Sequence, residues 1–487
     1  MKKLTIILIL LLSCSSHAGI LAGTGPGFKV GVGAGFKLER AYNENFVEMF
    51  LDEYNIESKT GVSLSVNKPT KYANNPIISS SQINVWDEQY GFAFFSFLQE
   101  SNGTYSGWYS AKDAVNLIQG AKLESADAST WTKPNQGLVT YNGNTNNNLC
   151  ITNRWAISVK AFPERASDQQ YIAAMYDSTV SGGMAQLYKS ADGNTWTLLK
   201  SIMTGTDYPE GTLEIKDFLQ RSSDGKWIAY CVTGHNTRRR KIVALVSDTT
   251  DPTGTWTFAS GYTNGVILSC TSYTDQKYHM SVKRFGDVYL HQVSEYHSDN
   301  TVTCGKEGGY FPYIQLYVSR DGLALTALDL QWIARGASGT WDDMLIYPTN
   351  DLLRFGDDWR IYYTGSGEDH NNCVWKTHFV GYANIPFRRI GQMSSTGSFI
   401  TDELTTADLM VVNCNSTAGS LKVELLNPSD NSVLSGYAQS DCETIASNEF
   451  GHIVKWNGSS QLPGVNFKAK FYQTGANLYS YSVCSWQ

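Results

Sequence analysis

After its first dozen residues this 487-residue chain contains no long uncharged apolar run, so no membrane-spanning helix is expected downstream. Charged residues are sparse at 17%, and no basic block interrupts an acidic balance. Such a surface is a poor match for nucleic acid or an anionic membrane. No Cys-x-x-Cys pair occurs and the cysteines are widely spread, which argues against a zinc cluster. A phosphate-cradling glycine loop, a His-Glu-x-x-His helix and a Gly-x-Ser-x-Gly elbow are also missing. Nucleotide-driven enzymes, zinc proteases and serine α/β-hydrolases are thereby set aside.

What is present begins with Met1-Lys2-Lys3 and the apolar stretch Leu4 to Leu12. Charge followed by a short greasy run is the order of an export signal, too short to span a bilayer. Ser16-His17-Ala18 supplies the small residues for cleavage before Gly19, giving residues 1–18 as signal peptide. Leu11-Leu12-Ser13-Cys14 resembles a lipobox, so anchoring at Cys14 is the competing arrangement, although Leu12 sits where a smaller residue is usual. Both place the protein outside the cytoplasm, secreted or periplasmic. With Lys2 and Lys3 removed, 36 basic residues face 45 acidic ones, a formal charge of −9. Eight cysteines then remain, Cys150, Cys231, Cys270, Cys304, Cys373, Cys414, Cys442 and Cys484, an even number that permits disulfides without revealing their pairing.

A phrase recurs along the chain. Ser125-Ala126-Asp127-Ala128-Ser129-Thr130-Trp131 returns as Ser190-Ala191-Asp192-Gly193-Asn194-Thr195-Trp196, more loosely from Ser247-Asp248 to Gly254-Thr255-Trp256, and in degenerate form as Ser319-Arg320-Asp321-Gly322. The tryptophans lie 65 and 60 residues apart, and a fixed period of that size means stacked supersecondary units. In each copy a short strand enters an Asp-Gly-type turn, and a Thr-Trp strand follows. Alternating runs such as Lys226-Trp227-Ile228-Ala229-Tyr230 and Trp359-Arg360-Ile361-Tyr362-Tyr363 fill the intervals. About four strands per unit make the blade of a propeller, and Gln82 to Ile390 accommodates five. The phrases themselves read as blade turns with packed Trp. Past Gly397 the phrase stops, and short alternating segments continue at the spacing of a β-sandwich.

The predicted fold is all-β, a five-bladed β-propeller over 82–395 followed by a small β-sandwich over 396–487, with a leader and arm over 19–81. One helix is expected, Asn43 to Tyr54 in that arm, with Asn43 as its cap.

At Lys71-Tyr72-Ala73-Asn74-Asn75-Pro76-Ile77-Ile78, Trp131-Thr132-Lys133-Pro134-Asn135-Gln136-Gly137-Leu138, Gly339-Thr340-Trp341-Asp342 and Ile361-Tyr362-Tyr363-Thr364-Gly365, the chain resembles the five-bladed propeller glycosidases. It is especially similar to bacterial proteins like the N-terminal domain of glycoside hydrolase family 32. The resemblance runs from about Phe50 to the C-terminus and implies a carbohydrate substrate. The Asn-Asp-Pro-Asn and Arg-Asp-Pro signatures of invertases and levanases are missing, which tells against fructan cleavage. No cofactor is implied. Such propellers accommodate a structural calcium ion, but no residue specifies one, and the chain is expected to act as a monomer.

Glycoside hydrolysis requires two carboxyl groups across the scissile bond, one protonated and one ionised. Innermost propeller strands aim their ends at an axial funnel, so acids at blade starts are the candidates: Asp87 after Trp86, Glu214 with Asp217 as competitor, Asp275, and Asp342 with Asp343. The resemblance implies Asp87 as base or nucleophile and Glu214 as general acid, with Asp275 and Asp342 orienting hydroxyls or tuning ionisation. His370 can reach a sugar hydroxyl, and Trp86 and Trp341 can stack on sugar faces. Arg238, in the run Arg238-Arg239-Arg240, can clamp an anionic sugar. Acids at strand ends also cap turns, so a non-catalytic carbohydrate-binding propeller is the second reading. A polysaccharide lyase, with a Tyr or His base beside a cation, is the third.

Overall fold

The computed structural model describes residues 42–78, 90–112, 118–177, 179–180, 183–204, 208, 211–234, 239–270, 272, 274–303, 306–371 and 378–486. Five antiparallel sheets follow one another. Blade 1 is Tyr90–Gln99, Tyr105–Lys112, Ile118–Ser125 and Leu149–Thr152. Blade 2 is Trp155–Ala161, Tyr171–Asp177, Met184–Ser190 and Thr197–Thr204. Blade 3 is Glu214–Gln220, Trp227–Thr233, Lys241–Ser247 and Trp256–Phe258. Blade 4 is Gln276–Phe285, Val288–Thr303, Tyr313–Ser319 and Thr326–Ala334. Blade 5 is Leu345–Phe355, Asp358–Ser366 and His378–Pro386, and its fourth strand, Thr70–Lys71, comes from the N-terminal side. The first strands adjoin in a closed circle, blade 1 to 2 to 3 to 4 to 5 and back to 1.

Each seam between neighbouring blades is filled by one apolar cluster, for example Ile172, Leu187, Ile215 and Trp227 between blades 2 and 3, and Val232, Ile242, Met280 and Val293 between blades 3 and 4. Second and third strands are therefore covered on both faces. Trp227–Thr233 is buried along its whole length, which explains why such strands read as continuous apolar runs instead of alternating ones. Thr197–Thr204, on a blade's outer edge, has no fully buried residue.

The recurring phrase does the turn chemistry it suggests. Asp127 Oδ1 accepts the N–H groups of Ser129 and Thr130, and Asp192 Oδ1 those of Asn194 and Thr195. The turns also bind blades together. Trp108 Nε1 of blade 1 donates to the Gly193 carbonyl of blade 2 at 2.7 Å, and Tyr230 of blade 3 donates to the Gly322 carbonyl of blade 4 at 2.8 Å. Gly193 has φ +71, and a Cβ there would meet Trp108 at 2.8 Å; positive φ and close approach both demand glycine.

The remaining strands form one curved sheet around the long strand Lys468–Trp486, which pairs with Gly391–Thr401, Leu409–Asn415 and Ser420–Leu426. It encloses its own core, including Phe399, Val412, Val423, Trp456 and Phe471. The N-terminal arm belongs to this sheet. Tyr42–Glu48 pairs with Lys468–Trp486, and Ile56–Thr60 and Ser63–Val66 pair with Gly391–Thr401. The helix expected over Asn43 to Tyr54 is thus a strand and loop. The open edge of Lys468–Trp486 supplies ladder partners, and Arg388 grips Glu44 bidentately at 2.6 and 2.7 Å; tertiary pairing overrides a local helical pattern.

Helix among the described residues is confined to the 3₁₀ turns Ser167–Gln169 and Thr263–Gly265, and none is long and apolar enough to cross a membrane. Cys150, Cys231, Cys270, Cys414, Cys442 and Cys484 are free thiols. Cys14, Cys304 and Cys373, and the whole signal segment, lie outside the described residues.

Candidate functional site

All five innermost strands are irregular, four near their beginnings and that of blade 5 at its middle. In blade 3, Ile215 pairs with Cys231 and Asp217 with Tyr230, leaving Lys216 as the extra residue. In blade 4, Lys277 pairs with Glu295 and His279 with Ser294, leaving Tyr278. Bulges re-aim side chains, and these two occupy the same third position of neighbouring inner strands. Lys216 Nζ lies 5.7 Å from the centre of the Tyr278 ring.

Glu214 starts the inner strand of blade 3, with Lys216 Nζ 2.9 Å from its Oε2; the lysine is wholly buried and the glutamate side chain 14% exposed. The Glu214 charge acts on Tyr176 of blade 2, Cys231 of blade 3, Tyr278 and His279 of blade 4, and Tyr347 of blade 5. Glu214 thus begins an inner strand of the ring, near enough to titratable groups of blades 2, 4 and 5 for its charge to act on them. Burial holds the Tyr278 hydroxyl well above the usual phenol range, with Arg240 opposing, and keeps His279 far below the usual imidazole range.

Arg240 lies beside this carboxylate's neighbours. Its Nη1 is 2.5 Å from Glu307 Oε2 and 3.0 Å from Gln276 Oε1, and its guanidinium is 4.9 Å from the Tyr278 ring and 5.1 Å from the Tyr296 ring. His370 enters from blade 5. Its Nδ1 is 2.7 Å from the Glu307 carbonyl and its Nε2 2.8 Å from the Tyr278 hydroxyl. A carbonyl only accepts, so Nδ1 carries the proton and Nε2 accepts from Tyr278.

Further along the same strand Asp217 reaches both neighbouring blades. It accepts from Ser158 Oγ of blade 2 at 2.7 Å and from the Val282 N–H of blade 4 at 2.7 Å, and Lys160 Nζ stands 3.1 Å away. Blade 3 adjoins both, so Asp217 ties the inner strands of three consecutive blades together. Burial pushes the Asp217 carboxyl upward, opposed by Lys160 and the donated hydrogen bonds. Asp217, the competitor for the catalytic carboxyl, is therefore a structural cross-tie.

The other expected site residues are dispersed. Asp275 pairs with Lys277, which reaches Gln315 on the third strand of blade 4; its charge acts on Cys270 and Tyr317. Asp342 is buried 2.6 Å from Lys71 Nζ and accepts from the Tyr363 hydroxyl at 3.1 Å. Trp341 stacks on Tyr363 at 5.4 Å and packs over Gly365 and Gly381. Both residues thus lie in the body of blade 5, beside its donated outer strand. Asp87, Trp86 and Arg238 lie outside the described residues. Glu214 and His370 are brought to one cluster, joined through Tyr278.

Lys216, Tyr278 and Glu307 escaped the sequence reading as site residues, and Arg240 entered it only as part of the run Arg238-Arg239-Arg240. The available signal was Glu214-Ile215-Lys216-Asp217-Phe218, three charges in five residues at the start of a core strand. Among the described residues no group of three or more His, Cys, Asp and Glu converges to hold a metal.

No protein-family model matches the chain, and no curated protein matches it. Similar solved structures include a glycoside hydrolase of the GH130 family of mannoside phosphorylases, targeting β-1,2-mannosidic linkages in Candida mannan (13% identity, TM-score 0.45, covering 66% of this chain and 95% of that one). Others are an α-L-arabinofuranosidase from Fusarium graminearum (14%, 0.39, 67% and 99%) and a glycosyl hydrolase from Bacteroides ovatus (12%, 0.45, 67% and 95%). At such identities and scores the likeness concerns shape alone.

Proposed function

We propose that the protein is an exported glycoside hydrolase that cleaves a polysaccharide or oligosaccharide with a pair of carboxyl groups, Glu214 being one and Asp87 the other. The observation that supports this reading is the place of Glu214, a partly exposed carboxylate at the start of an inner strand of a closed ring, whose charge acts on groups of blades 2, 4 and 5. A sugar would reach Glu214 from the side on which its carboxylate is exposed. Tyr278 and His370, hydrogen-bonded to each other, form a buried polar pair beside it.

The test is incubation of purified protein with a glycan panel, comparing wild type with Asp87→Asn and Glu214→Gln. Loss of about 10²–10⁴-fold in each variant is the size of a general acid or base contribution. Equal activity in all three removes the assignment, and glycan binding without product favours a binding propeller.

One observation favours a second reading. Tyr278 donates to His370 Nε2 while Lys216 and Arg240 stand over its ring. A Tyr–His couple beside cations is also the equipment of a polysaccharide lyase, which removes a proton next to a uronate carboxylate. Unsaturated products absorbing in the ultraviolet distinguish it.

A further inference from the structure

We propose that a hairpin rising from blade 4 walls off one side of the Glu214 site, so that the site receives the end of a glycan chain and not a stretch of its interior. Chain-end binding at this place rests on the reading of Glu214 as a residue of the cleavage site.

The wall follows from strand length. Val288–Thr303 has 16 residues, against 7 in the second strands of blades 2 and 3. Its pairing with the inner strand of blade 4 ends at Tyr296, opposite Gln276, and its pairing with the third strand ends at Ser294, opposite Ile314. Beyond these residues it pairs with Lys306–Tyr310 instead, His297 opposite Tyr310, Ser298 opposite Gly309 and Thr303 opposite Lys306. The 5 residues of Lys306–Tyr310, at about 3.3 Å each, carry this hairpin about 15 Å past the blade. Asp299 to Thr303 are all exposed. In blades 1, 2 and 3 the same connection is made by residues 113–117, 178–183 and 234–240, none of them long enough for such a ladder.

The foot of the hairpin stands beside Glu214. Its root lies opposite Gln276, where the inner strand of blade 4 begins. Lys216, 2.9 Å from the Glu214 carboxylate, is 5.7 Å from the Tyr278 ring, so the inner strands of blades 3 and 4 begin at the same end of the ring. The Tyr278 ring is in turn 5.6 Å from that of Tyr296. Arg240 closes the corner, its guanidinium over both rings and its Nη1 2.5 Å from Glu307 on the returning strand.

Blade 5 braces the hairpin. The Gly309 N–H donates to Asp369 Oδ1 at 3.1 Å, the His370 N–H to the Gly309 carbonyl at 3.1 Å, and Asn371 Nδ2 to Thr301 Oγ1 at 3.0 Å. The Tyr296 hydroxyl lies 2.9 and 2.8 Å from the Glu307 and Gly308 carbonyls. A Cβ on Gly308 would stand 2.1 Å from Thr301 Oγ1 and 2.7 Å from Asn371 Nδ2, so glycine is what lets the hairpin and the blade 5 connection close together.

A glycan cut in its interior must leave the scissile bond in two directions. Beside a braced wall only a short terminal piece fits on one side, and the rest of the chain runs away from blades 4 and 5.

Product analysis tests this on each polysaccharide of the panel that the protein cleaves. Wild type is expected to release short saccharides of one length from the first time points, with viscosity holding while reducing ends accumulate. A variant with residues 299–306 replaced by Asn-Gly keeps Glu307 for Arg240 and His370. It is expected to release intermediate lengths, with viscosity falling at an equal number of bonds broken. Intermediate lengths from wild type overturn the proposal, and so does an unchanged pattern in the shortened variant. Should that variant fail to fold, the wild-type profile decides alone. Binding without cleavage defeats the hydrolase reading only, and the wall is then tested by counting protein bound per mass of glycan before and after partial acid hydrolysis of the chains. Growth in proportion to chain ends supports chain-end binding, and no growth overturns it. Neither binding nor cleavage on any glycan ends both readings.

Discussion

Lys71 Nζ stands 2.6 Å from Asp342 Oδ2, joining the outermost strand of blade 5 to the loop that leads into its innermost strand. The two residues are separated by nearly the whole propeller in sequence, so this contact exists only when the ring is closed. Asn75 works beside it, donating to the Tyr382 carbonyl at 2.8 Å and accepting from the Tyr382 N–H at 3.1 Å.

Lys71→Met should therefore loosen the closure. Asp342 is 4% exposed and Lys71 31%, so the full cost of orphaning a buried charge is reduced by solvent at the lysine end. The expected loss is about 2–3 kcal/mol, read as a lower urea midpoint. A loss under about 0.5 kcal/mol would mean that the strand is held by its ladder and by Asn75 alone.

The cross-tie at Asp217 makes a stronger demand. Asp217→Ala leaves the Lys160 ammonium without its carboxylate and removes the acceptor of Ser158 Oγ and the Val282 N–H. A loss of about 3–5 kcal/mol is expected, with Asp217→Asn intermediate because it keeps acceptors in place. Unchanged stability together with lost turnover would give Asp217 a chemical role instead.

The repeat was legible because its turns are written locally: an aspartate that accepts two backbone N–H groups beside a residue that takes positive φ. Asp127, Asp192 and Asp321 all behave in this way. The fourth strand of blade 5 was not legible, since Thr70–Lys71 is too short to show a period and pairs with residues 383 and 384. Tyr42–Glu48 was misread for the same reason, its partner lying at the far end of the chain. In the site, Glu214 could be picked as an acid at a strand start. Lys216 and Tyr278 could not be, because a bulge is a relation between two strands, and Arg240 and Glu307 meet only through blade order. Asp342 resembled a funnel acid by its place before a strand, yet it faces outward to Lys71.

Tyr278→Phe separates two chemistries. The hydroxyl donates to His370 Nε2 at 2.8 Å, and its removal leaves the ring packing and the Glu214–Lys216 pair in place. For a carboxylate-driven hydrolase the variant should lose about tenfold, the worth of roughly one hydrogen bond. For a lyase using this tyrosine the loss should reach about 10²–10⁴-fold. Product ultraviolet absorbance, followed with the rate, assigns the case.

Acid stability should depend on His291. The ring is buried between blades 3 and 4 against Tyr230, with Nε2 2.8 Å from Ser319 Oγ and Nδ1 lacking a partner among the described residues. Burial pulls its pKa from 6.5 down to about 3, with Asp321 opposing. Between those values the unfolded chain binds a proton that the folded chain does not. The contribution is thus complete above about pH 6.5 and is lost progressively as pH falls toward 3. At pH 4 the gap of about 2.5 units corresponds to about 3 kcal/mol. His291→Gln, which keeps a hydrogen-bonding group near Ser319, should lose that much less stability than wild type between pH 7.5 and pH 4 in urea titrations. Equal losses in the two proteins would mean that the buried ring is not a seat of acid sensitivity, and that the falling stability arises at other buried groups such as His279.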